Sequence, residues 1–398
     1  MANRISTPVY IYNADLIDQA LEIIKSNFVS RIPFPVRIRY AVKANTNQAV
    51  LALLSQRGIG AEVVSGGELW RALKAGISSN SIVFSGVGKR PDEIELALDH
   101  NIEQVSIESV EELQFLANLS RPANLCIRVS PDIAAATHDK ITTGRWHDKF
   151  GIPVSQIPRV FKILQESPFL NFLGFSLHLG SQISDIQTFR RAFKLLNELR
   201  RQVSGSFTVK RLDLGGGFSV PYHEDQKAFD WLGYAQAVQD EFKNFEGDLV
   251  IEPGRFLVAN AGILLTKILY IKKVDRKTFV VVDAGMNDMA RSALYGVSHK
   301  IIAVEKINDP EAQRVDVVGP VCESSDIFAK DIMLPSSLAV GDLLAIMTVG
   351  AYGASLSSMY NSRSLIPEVL IANQRPYVVR EPVSVQQLAS FETYRELV

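Results

Sequence analysis

Residues 37–46 read Arg-Ile-Arg-Tyr-Ala-Val-Lys-Ala-Asn-Thr, a β-rich run that ends in a lysine followed by small and polar residues. Similar runs recur until about residue 255, and amphipathic segments of helical length lie between them. The predicted strands are 37–42, 61–64, 82–85, 104–107, 126–129, 174–178, 211–214 and 249–251, and the predicted helices include 66–75, 91–98, 110–119, 157–165 and 188–203. Eight such units predict a (β/α)8 TIM-type barrel, although an open doubly wound sheet shows the same alternation.

The sequence beyond Arg255 has a different texture. Short strand-like runs at 263–271, 278–283, 314–318, 343–348 and 368–371 are separated by glycine and proline rather than by long helices. This pattern predicts an all-β C-terminal domain. A strand at Thr7–Tyr12 and a helix at Ala14–Lys25 precede the barrel. We therefore expect an α/β fold with two domains, a barrel at 30–265 and a β domain formed by 1–29 together with 266–398.

Composition excludes several classes of protein. The net charge is -1 over 398 residues, so no basic field favours nucleic acid or anionic lipid as a partner. The longest apolar stretches, such as 257–269, are too short and too polar to cross a bilayer, and the N-terminus has no signal core, so we expect a cytoplasmic protein. The two cysteines form no disulfide framework, and no metal-binding spacing is present.

Barrel enzymes place their reactive groups at the carboxyl ends of the strands. Those positions hold Lys43, His178, the triple glycine 215–217 and the pair Glu252 and Arg255. Each has an ordinary explanation alone: a solvated lysine, a structural histidine, a flexible turn and an ion pair. The glycine run lacks the Gly-x-Gly-x-x-Gly spacing of dinucleotide sites, but its backbone N–H groups suit a phosphate. Convergence at one barrel mouth indicates an active site.

Longer motifs carry a family resemblance. Residues 40–45 (Tyr-Ala-Val-Lys-Ala-Asn), 60–68, 178–182 (His-Leu-Gly-Ser-Gln), 213–217 and 252–255 (Glu-Pro-Gly-Arg) resemble the fold-type III decarboxylases that use pyridoxal 5'-phosphate, which share the architecture of alanine racemase and ornithine decarboxylase. Residues 283–288, 319–326 (Gly-Pro-Val-Cys-Glu-Ser-Ser-Asp) and 350–353 are similar to the diaminopimelate decarboxylases among them. The resemblance extends from about residue 7 to 371 and implies a pyridoxal 5'-phosphate cofactor, an amino acid substrate and a homodimer with shared active sites.

The resemblance also implies roles for individual residues. Lys43 would attach the cofactor covalently, His178 would stack on its ring and Glu252 would face its pyridine nitrogen. Cys322 would come from the partner subunit and protonate the product. The remaining cofactor contacts would be Ser181, Gly215, Gly216, Gly217, Gly254, Arg255 and Tyr352.

The acidic residue at position 252 bears on the type of reaction. Decarboxylation requires the ring to take up electrons, and it does so only while its nitrogen stays protonated. A neighbouring carboxylate favours that protonated form, whereas alanine racemase has an arginine there, so Glu252 favours decarboxylation over racemisation. Arg255, Arg291 and Tyr295 would suit a distal carboxylate, Glu323 would suit a distal ammonium, and Tyr352 would line the same pocket. We therefore expect meso-2,6-diaminopimelate as substrate and L-lysine as product, the last step of lysine biosynthesis.

Three positions depart from the family pattern. Glu62 stands in place of aspartate, Ser292 in place of the proline after Arg291, and Ser325 in place of a glycine near Cys322. These changes remove no reactive group, but they leave related substrates open. The alternatives are a sister decarboxylase of ornithine, arginine or a carrier-linked amino acid, an amino acid racemase, and a relative without catalytic activity.

Overall fold

The computed structural model describes residues 6–131, 148–305 and 311–393. They form two compact units. The barrel unit comprises Gln19–Val220 and Ala228–Leu257, and the β-rich unit comprises the described parts of Met1–Asp18, Pro221–Lys227 and Val258–Val398. The boundaries predicted from sequence, at residues 30 and 265, stay a prediction.

Parallel strands of the barrel unit close into a barrel, as the sequence predicted. Its eight described strands are β2 (Val36–Ala41), β3 (Gly60–Val63), β4 (Ile82–Phe84), β5 (Gln104–Ile107), β6 (Ala123–Ser130), β8 (Leu170–Ser176), β9 (Arg211–Asp213) and β10 (Asp248–Ile251). Consecutive strands pair in this order, β10 pairs with β2, and all pairs are parallel. The short strand β7 (Ile152–Pro153) pairs with β6. Strands buried on both faces explain the nearly continuous apolar runs in the sequence.

Amphipathic helices follow the strands. They are α1 (Ala14–Asn27), α2 (Gln48–Gln56), α3 (Gly66–Lys74), α4 (Pro91–Asp99), α5 (Val110–Leu119), α6 (Ile157–Gln165), α7 (Ile186–Val203), α8 (Trp231–Phe242) and α9 (Arg255–Val258). Side chains of Asn47, Ser65, Ser109, Asp185 and Asp230 accept backbone N–H groups at the starts of α2, α3, α5, α7 and α8. These caps fix where each helix leaves its loop.

An aromatic cluster forms the core beneath α7 and α8. Phe189 and Phe193 of α7 pack against Tyr234 of α8, with ring centroids 5.0 and 5.5 Å apart. Phe218 and Trp231 join them at 4.6 Å from each other. All five side chains are almost completely buried. These rings anchor the segment that follows the triple glycine.

The amino ends of the barrel strands carry a buried network of charges. Arg39 donates to Glu103 (2.6 Å), and Arg211 contacts both Glu103 (3.0 Å) and Asp248 (2.8 Å). Above them, Gln104 accepts from Arg211 (3.2 Å) and donates to Asp213 (3.2 Å). Strands β2, β5, β9 and β10 are therefore joined by side chains as well as by their backbones.

The β-rich unit is organised around one long strand. Its strands are β1 (Val9–Asn13), β11 (Gly262–Val274), β12 (Lys277–Val282), β13 (Ile301–Ala303), β14 (Ala312–Val318), β15 (Ile327–Pro335), β16 (Leu343–Ile346), β17 (Glu368–Ala372) and β18 (Arg375–Arg380), with short helices α10 (Arg291–Tyr295) and α11 (Val385–Ala389). β11 pairs antiparallel with β1, β12 and β16, and β1 pairs parallel with β17. The N-terminal strand is thus central to this unit.

None of the described helices is both long enough and apolar enough to cross a membrane.

We expect Glu103→Ala to destabilise the barrel unit by about 3–5 kcal/mol, because it leaves Arg39 and Arg211 buried without their shared carboxylate. Chemical denaturation followed by tryptophan fluorescence measures the loss. The matched control is Glu111→Ala, which removes an exposed carboxylate whose distance from Arg159 is 3.9 Å. Equal stability of the two variants would contradict the importance of the buried network.

Candidate active site

Lys43 lies just beyond β2, in a single turn in which its neighbours Val42 and Ala44 are buried. Its Nζ is 2.7 Å from Oε2 of Glu62, a residue of β3 that is 1% exposed. The pairing of β2 and β3, which places Ala41 opposite Glu62, brings these two side chains together. The amine is therefore held by a buried carboxylate, although the Lys43 side chain is 36% exposed.

A cavity of about 350 Å³ opens beside Lys43. Its polar wall groups come from different strands or from the loops after them, at the carboxyl end of the barrel. The lining residues are Lys43, Glu62, Val64, Ser85, Gly86, Val87, Gly88, Arg128, Phe150, Ser176, Leu177, His178 and Glu252. The structure thus brings together three residues predicted from sequence, namely Lys43, His178 and Glu252.

Glu252 is a buried acid at the end of β10. Burial raises the pKa of its carboxyl well above the usual range, and the nearby carboxylates of Asp213 and Glu62 raise it further. Asp213 shares a hydrogen bond with Glu252. Burial also raises the pKa of Asp213 to about 6. The two acids therefore hold protons more tightly than exposed carboxyl groups do.

His178 follows β8 by two residues, since the strand ends at Ser176 rather than at His178 as the sequence suggested. Desolvation lowers the pKa of the ring well below its usual value, and the positive charges of Arg128 and Lys43 lower it further. The Nδ1 atom accepts a hydrogen bond from the backbone N–H of Gly216 (3.3 Å). The ring is therefore neutral and oriented by the glycine loop.

The triple glycine is required by close backbone contacts. Gly215 and Gly217 have positive φ angles of 65° and 94°. A Cβ on Gly215, Gly216 or Gly217 would collide with the carbonyl oxygen of Leu177, Glu252 or Gly180, respectively. The N–H of Gly215 donates to Asp213 (3.0 Å). Within the described residues, the Gly217 N–H has no protein acceptor, so it is the amide of this loop that suits a phosphate best.

Ser181, Gly254 and Arg255 lie next to this loop. The Arg255 Nη2 atom donates to Oγ of Ser181 (3.0 Å). Gly254 packs against β2, and a Cβ there would come within 2.9 Å of the Ala41 side chain. Ser176 adds a buried hydroxyl to the cavity wall, without a protein partner among the described residues. A reactive amine, a buried acid, a glycine-lined loop and an unsatisfied hydroxyl fit a phosphorylated aromatic cofactor.

The other predicted residues belong to the β-rich unit. Arg291 begins α10, is 4% exposed and donates to the Tyr222 hydroxyl (2.8 Å), whereas Tyr295 ends the helix half-buried. Cys322 is exposed, and its backbone N–H donates to Asn361 (2.8 Å).

Two further predicted residues occupy this unit. The carboxylate of Glu323 accepts from the Tyr360 hydroxyl (2.9 Å). Tyr352 is half-buried, in a turn where its φ is 57°.

Arg128 and Phe150 line the cavity, and Glu108 pairs with Arg128, but none of the three was predicted from sequence. Arg128 donates to Glu108 (2.6 Å) and lies 4.9 Å from the ring centre of Phe150. Glu108 also accepts the N–H groups of Gly86 (3.0 Å) and Gly151 (2.9 Å). Both charged residues lie near strand ends, so extending the strand-end rule to β5 and β6 would have found them.

We expect Glu68→Gln to increase stability more at about pH 8 than at about pH 5. Burial and the charge of Glu62 raise the pKa of Glu68 from 4.5 to about 7. Because the pKa of Glu68 is higher in the folded protein than in the unfolded chain, its protonated carboxyl contributes to stability at pH values below 4.5. This contribution to stability is lost as the pH rises from 4.5 to about 7. Glutamine retains an acceptor for the Val64 N–H (2.9 Å) and lacks the charge.

The difference in melting temperature between Glu68→Gln and the unsubstituted protein, both without cofactor, is measured at the two pH values. The shift in pKa corresponds to a difference in the free energy of unfolding of about 3 kcal/mol at most. Glu95→Gln, on the exposed face of α4, is the control. A pH-independent difference between Glu68→Gln and the unsubstituted protein would contradict the assignment.

Comparisons with known proteins agree with this site. The family described as pyridoxal-dependent decarboxylase, pyridoxal binding domain, matches residues 16–259. The chain is 38% identical to a diaminopimelate decarboxylase of Zymomonas mobilis, covering 98% of this chain and 93% of that protein. It is 40% identical to one from Helicobacter pylori strain J99, over 97% of this chain and 95% of that one.

Solved structures give the same result. A Helicobacter pylori diaminopimelate decarboxylase complexed with L-lysine matches with a TM-score of 0.91 and 38% identity, covering 97% of this chain and 96% of that one. An M. jannaschii diaminopimelate decarboxylase, also with L-lysine, matches with a TM-score of 0.92 and 33% identity over 98% and 93% of the two chains. Full-length similarity together with the amine, acid and glycine loop at one barrel mouth establishes that this chain belongs to the diaminopimelate decarboxylase family of pyridoxal-dependent decarboxylases.

Proposed function

We propose that this protein is a carboxy-lyase that uses pyridoxal 5'-phosphate to convert meso-2,6-diaminopimelate into L-lysine and CO2. The observation that carries the proposal is the placement of the Lys43 amine in one cavity with His178 and the buried acid Glu252. Relatives at 38–40% identity over nearly the full length bear the diaminopimelate decarboxylase name. Two similar solved structures contain L-lysine, the product expected here.

The barrel residues would bind and orient the cofactor. Lys43 would supply the amine that attaches it, and Glu62 holds that amine in position (2.7 Å). His178, whose Nδ1 atom accepts the Gly216 N–H, would stack against the ring and exclude water from that face. When bound, the cofactor takes up the electron pair released as CO2 departs.

Glu252 would face the pyridine nitrogen in this arrangement. Burial and the neighbouring acids raise the pKa of Glu252, so a proton is held tightly at this position. Glu252 would therefore help to keep the ring nitrogen protonated, which would support decarboxylation. Ser181, Gly215, Gly216, Gly217, Gly254 and Arg255 would surround the phosphate, with the Gly217 N–H as a direct donor.

Residues of the β-rich unit would bind the distal end of the substrate. Arg291, with Arg255, offers planar guanidinium groups suited to a carboxylate, and Tyr295 and Tyr352 offer phenolic hydroxyls. Glu323 would bind the distal ammonium. Cys322, whose thiol is exposed, would donate a proton to the α-carbon of the product.

We also propose that the protein acts as a cytoplasmic homodimer, in which Cys322 and Glu323 of one subunit complete the site of the other. The exposure of the Cys322–Glu323 turn supports this arrangement. Neither a nucleic acid nor a membrane is part of the proposal.

Purified protein supplied with pyridoxal 5'-phosphate should release L-lysine and CO2 from meso-diaminopimelate, and Lys43→Ala should lower kcat by at least about 10³-fold. Loss of the cofactor absorbance band provides an independent readout. Lys162→Ala, an exposed lysine on α6, is the control and should behave like the unsubstituted protein. Turnover of ornithine or arginine without turnover of diaminopimelate would refute the substrate.

Mixed dimers test the shared site. Lys43→Ala and Cys322→Ala are each expected to be inactive, but an equal mixture that exchanges subunits should recover about a quarter of the activity. About half of the dimers are then mixed, and one of the two sites in each mixed dimer is intact. Subunit exchange is monitored separately by energy transfer between labelled subunits. Exchange without recovered activity would contradict a site built from two chains.

A further inference from the structure

A short segment, Pro221–Lys227, packs within the β-rich unit. It follows the triple glycine by only a few residues in the sequence. Its turn is closed by the Tyr222 N–H, which donates to the Gln226 side chain (2.7 Å), and by the Gln226 N–H, which donates to the His223 carbonyl (3.1 Å). We call this segment the clasp.

The clasp holds Arg291 through Tyr222. The Arg291 Nη1 atom donates to the Tyr222 hydroxyl (2.8 Å), and the guanidinium carbon lies 5.2 Å from the centre of the Tyr222 ring. Both side chains are buried, at 4% and 6% exposure. A hydrogen bond and a cation–π contact with the same residue fix both the position and the plane of the guanidinium.

Other residues of the β-rich unit hold Tyr222 in place. His299 meets its ring edge-on, with centroids 4.9 Å apart, and Nδ1 of His299 is bonded to the Met347 carbonyl (2.9 Å). His223 contacts Ser298 (2.8 Å), next to His299. These contacts restrict rotation of the Tyr222 side chain. The Arg291 guanidinium, which is bound to Tyr222, is therefore restricted as well.

The backbone around Arg291 makes such support necessary. Arg291 is followed by Ser292, which does not restrict the backbone as a proline would. Its hydroxyl donates to the Val297 carbonyl (3.0 Å), which closes the turn after α10 but leaves the Arg291 side chain to be oriented by other groups. Tyr222 supplies that orientation.

We infer that Tyr222 is a positioning residue that sets the preference of this site for an amino acid with a distal carboxylate, by fixing the plane of the Arg291 guanidinium. The inference rests on the proposed function, in which Arg291 binds that carboxylate. A guanidinium binds a carboxylate through two parallel N–H groups only when its plane is correctly aligned. If the arginine side chain becomes ordered only when the ligand binds, the loss of conformational entropy lowers the affinity for the carboxylate.

The test compares ligands with and without a carboxylate. In the cofactor-loaded protein, Tyr222→Phe should raise KM for meso-diaminopimelate and the inhibition constant of L-lysine by about tenfold, with kcat changed by about twofold or less. The inhibition constant of 1,5-diaminopentane, which lacks a carboxylate, should stay within about twofold. Tyr12→Phe is the control, since Tyr12 is equally buried and its hydroxyl donates to Glu368 in the same unit.

A double-mutant cycle separates positioning from general stability. If Tyr222 acts through Arg291, Tyr222→Phe should have no further effect on L-lysine binding in an Arg291→Ala background. Additive effects, or equal weakening of L-lysine and 1,5-diaminopentane, would overturn the inference. Loss of L-lysine affinity in Tyr222→Phe would support it even if the unsubstituted protein failed to decarboxylate diaminopimelate, which would refute only the proposed function.

Discussion

The close approach of the Gly215–Gly217 backbone to its neighbours is the constraint on which the barrel mouth depends. The loop approaches the residues that follow β8 and β10 so closely that a side chain at any of these positions would strike a carbonyl oxygen. Its amides then orient Asp213 and His178, and the Gly215 carbonyl accepts the Glu252 N–H (2.7 Å). A single short loop therefore fixes the acid, the histidine and the remaining amide donor relative to one another.

The balance of charge in the cavity follows from this packing. Lys43 and Arg128 are the cations in its wall, and each is already paired, with Glu62 and Glu108 respectively. Glu252 shares its buried environment with a second acid, Asp213, so a proton is retained there. A ligand that brings a positively charged nitrogen to this point would relieve the repulsion between the acids. The polypeptide is thus prepared electrostatically for an aromatic base.

Site residues that lie at the ends of barrel strands could be predicted from the sequence. Lys43 and Glu252 are identifiable because the strand periodicity locates their strand ends. The ion pair between Lys43 and Glu62 could not be predicted from the sequence, because it depends on the register between β2 and β3. Phe150 enters the cavity wall from a loop, where no periodicity predicts direction.

Three strands of the β-rich unit, β13, β15 and β18, also escaped sequence analysis for physical reasons. β13 has only three residues, too few to show an alternation of apolar and polar side chains. In β15 the alternation is interrupted at Asp331, whose φ is 54°, and the pairing with β14 shifts register beside it. The outermost strand β18 begins Arg375-Pro376 and is largely exposed, so it has no apolar alternation to detect. In contrast, the barrel strands are buried and were located within a few residues.

The charged network of Arg39, Glu103, Arg211 and Asp248 lies at the opposite end of the barrel from the cavity. These ion pairs therefore hold the strands together far from the residues of the active site. Apart from the close-packed Gly215–Gly217 loop, the loops at the mouth do not contribute to this network, so replacements there can alter ligand preference without unfolding the barrel. This separation offers a route by which one architecture acquires new substrates, in evolution or in the laboratory.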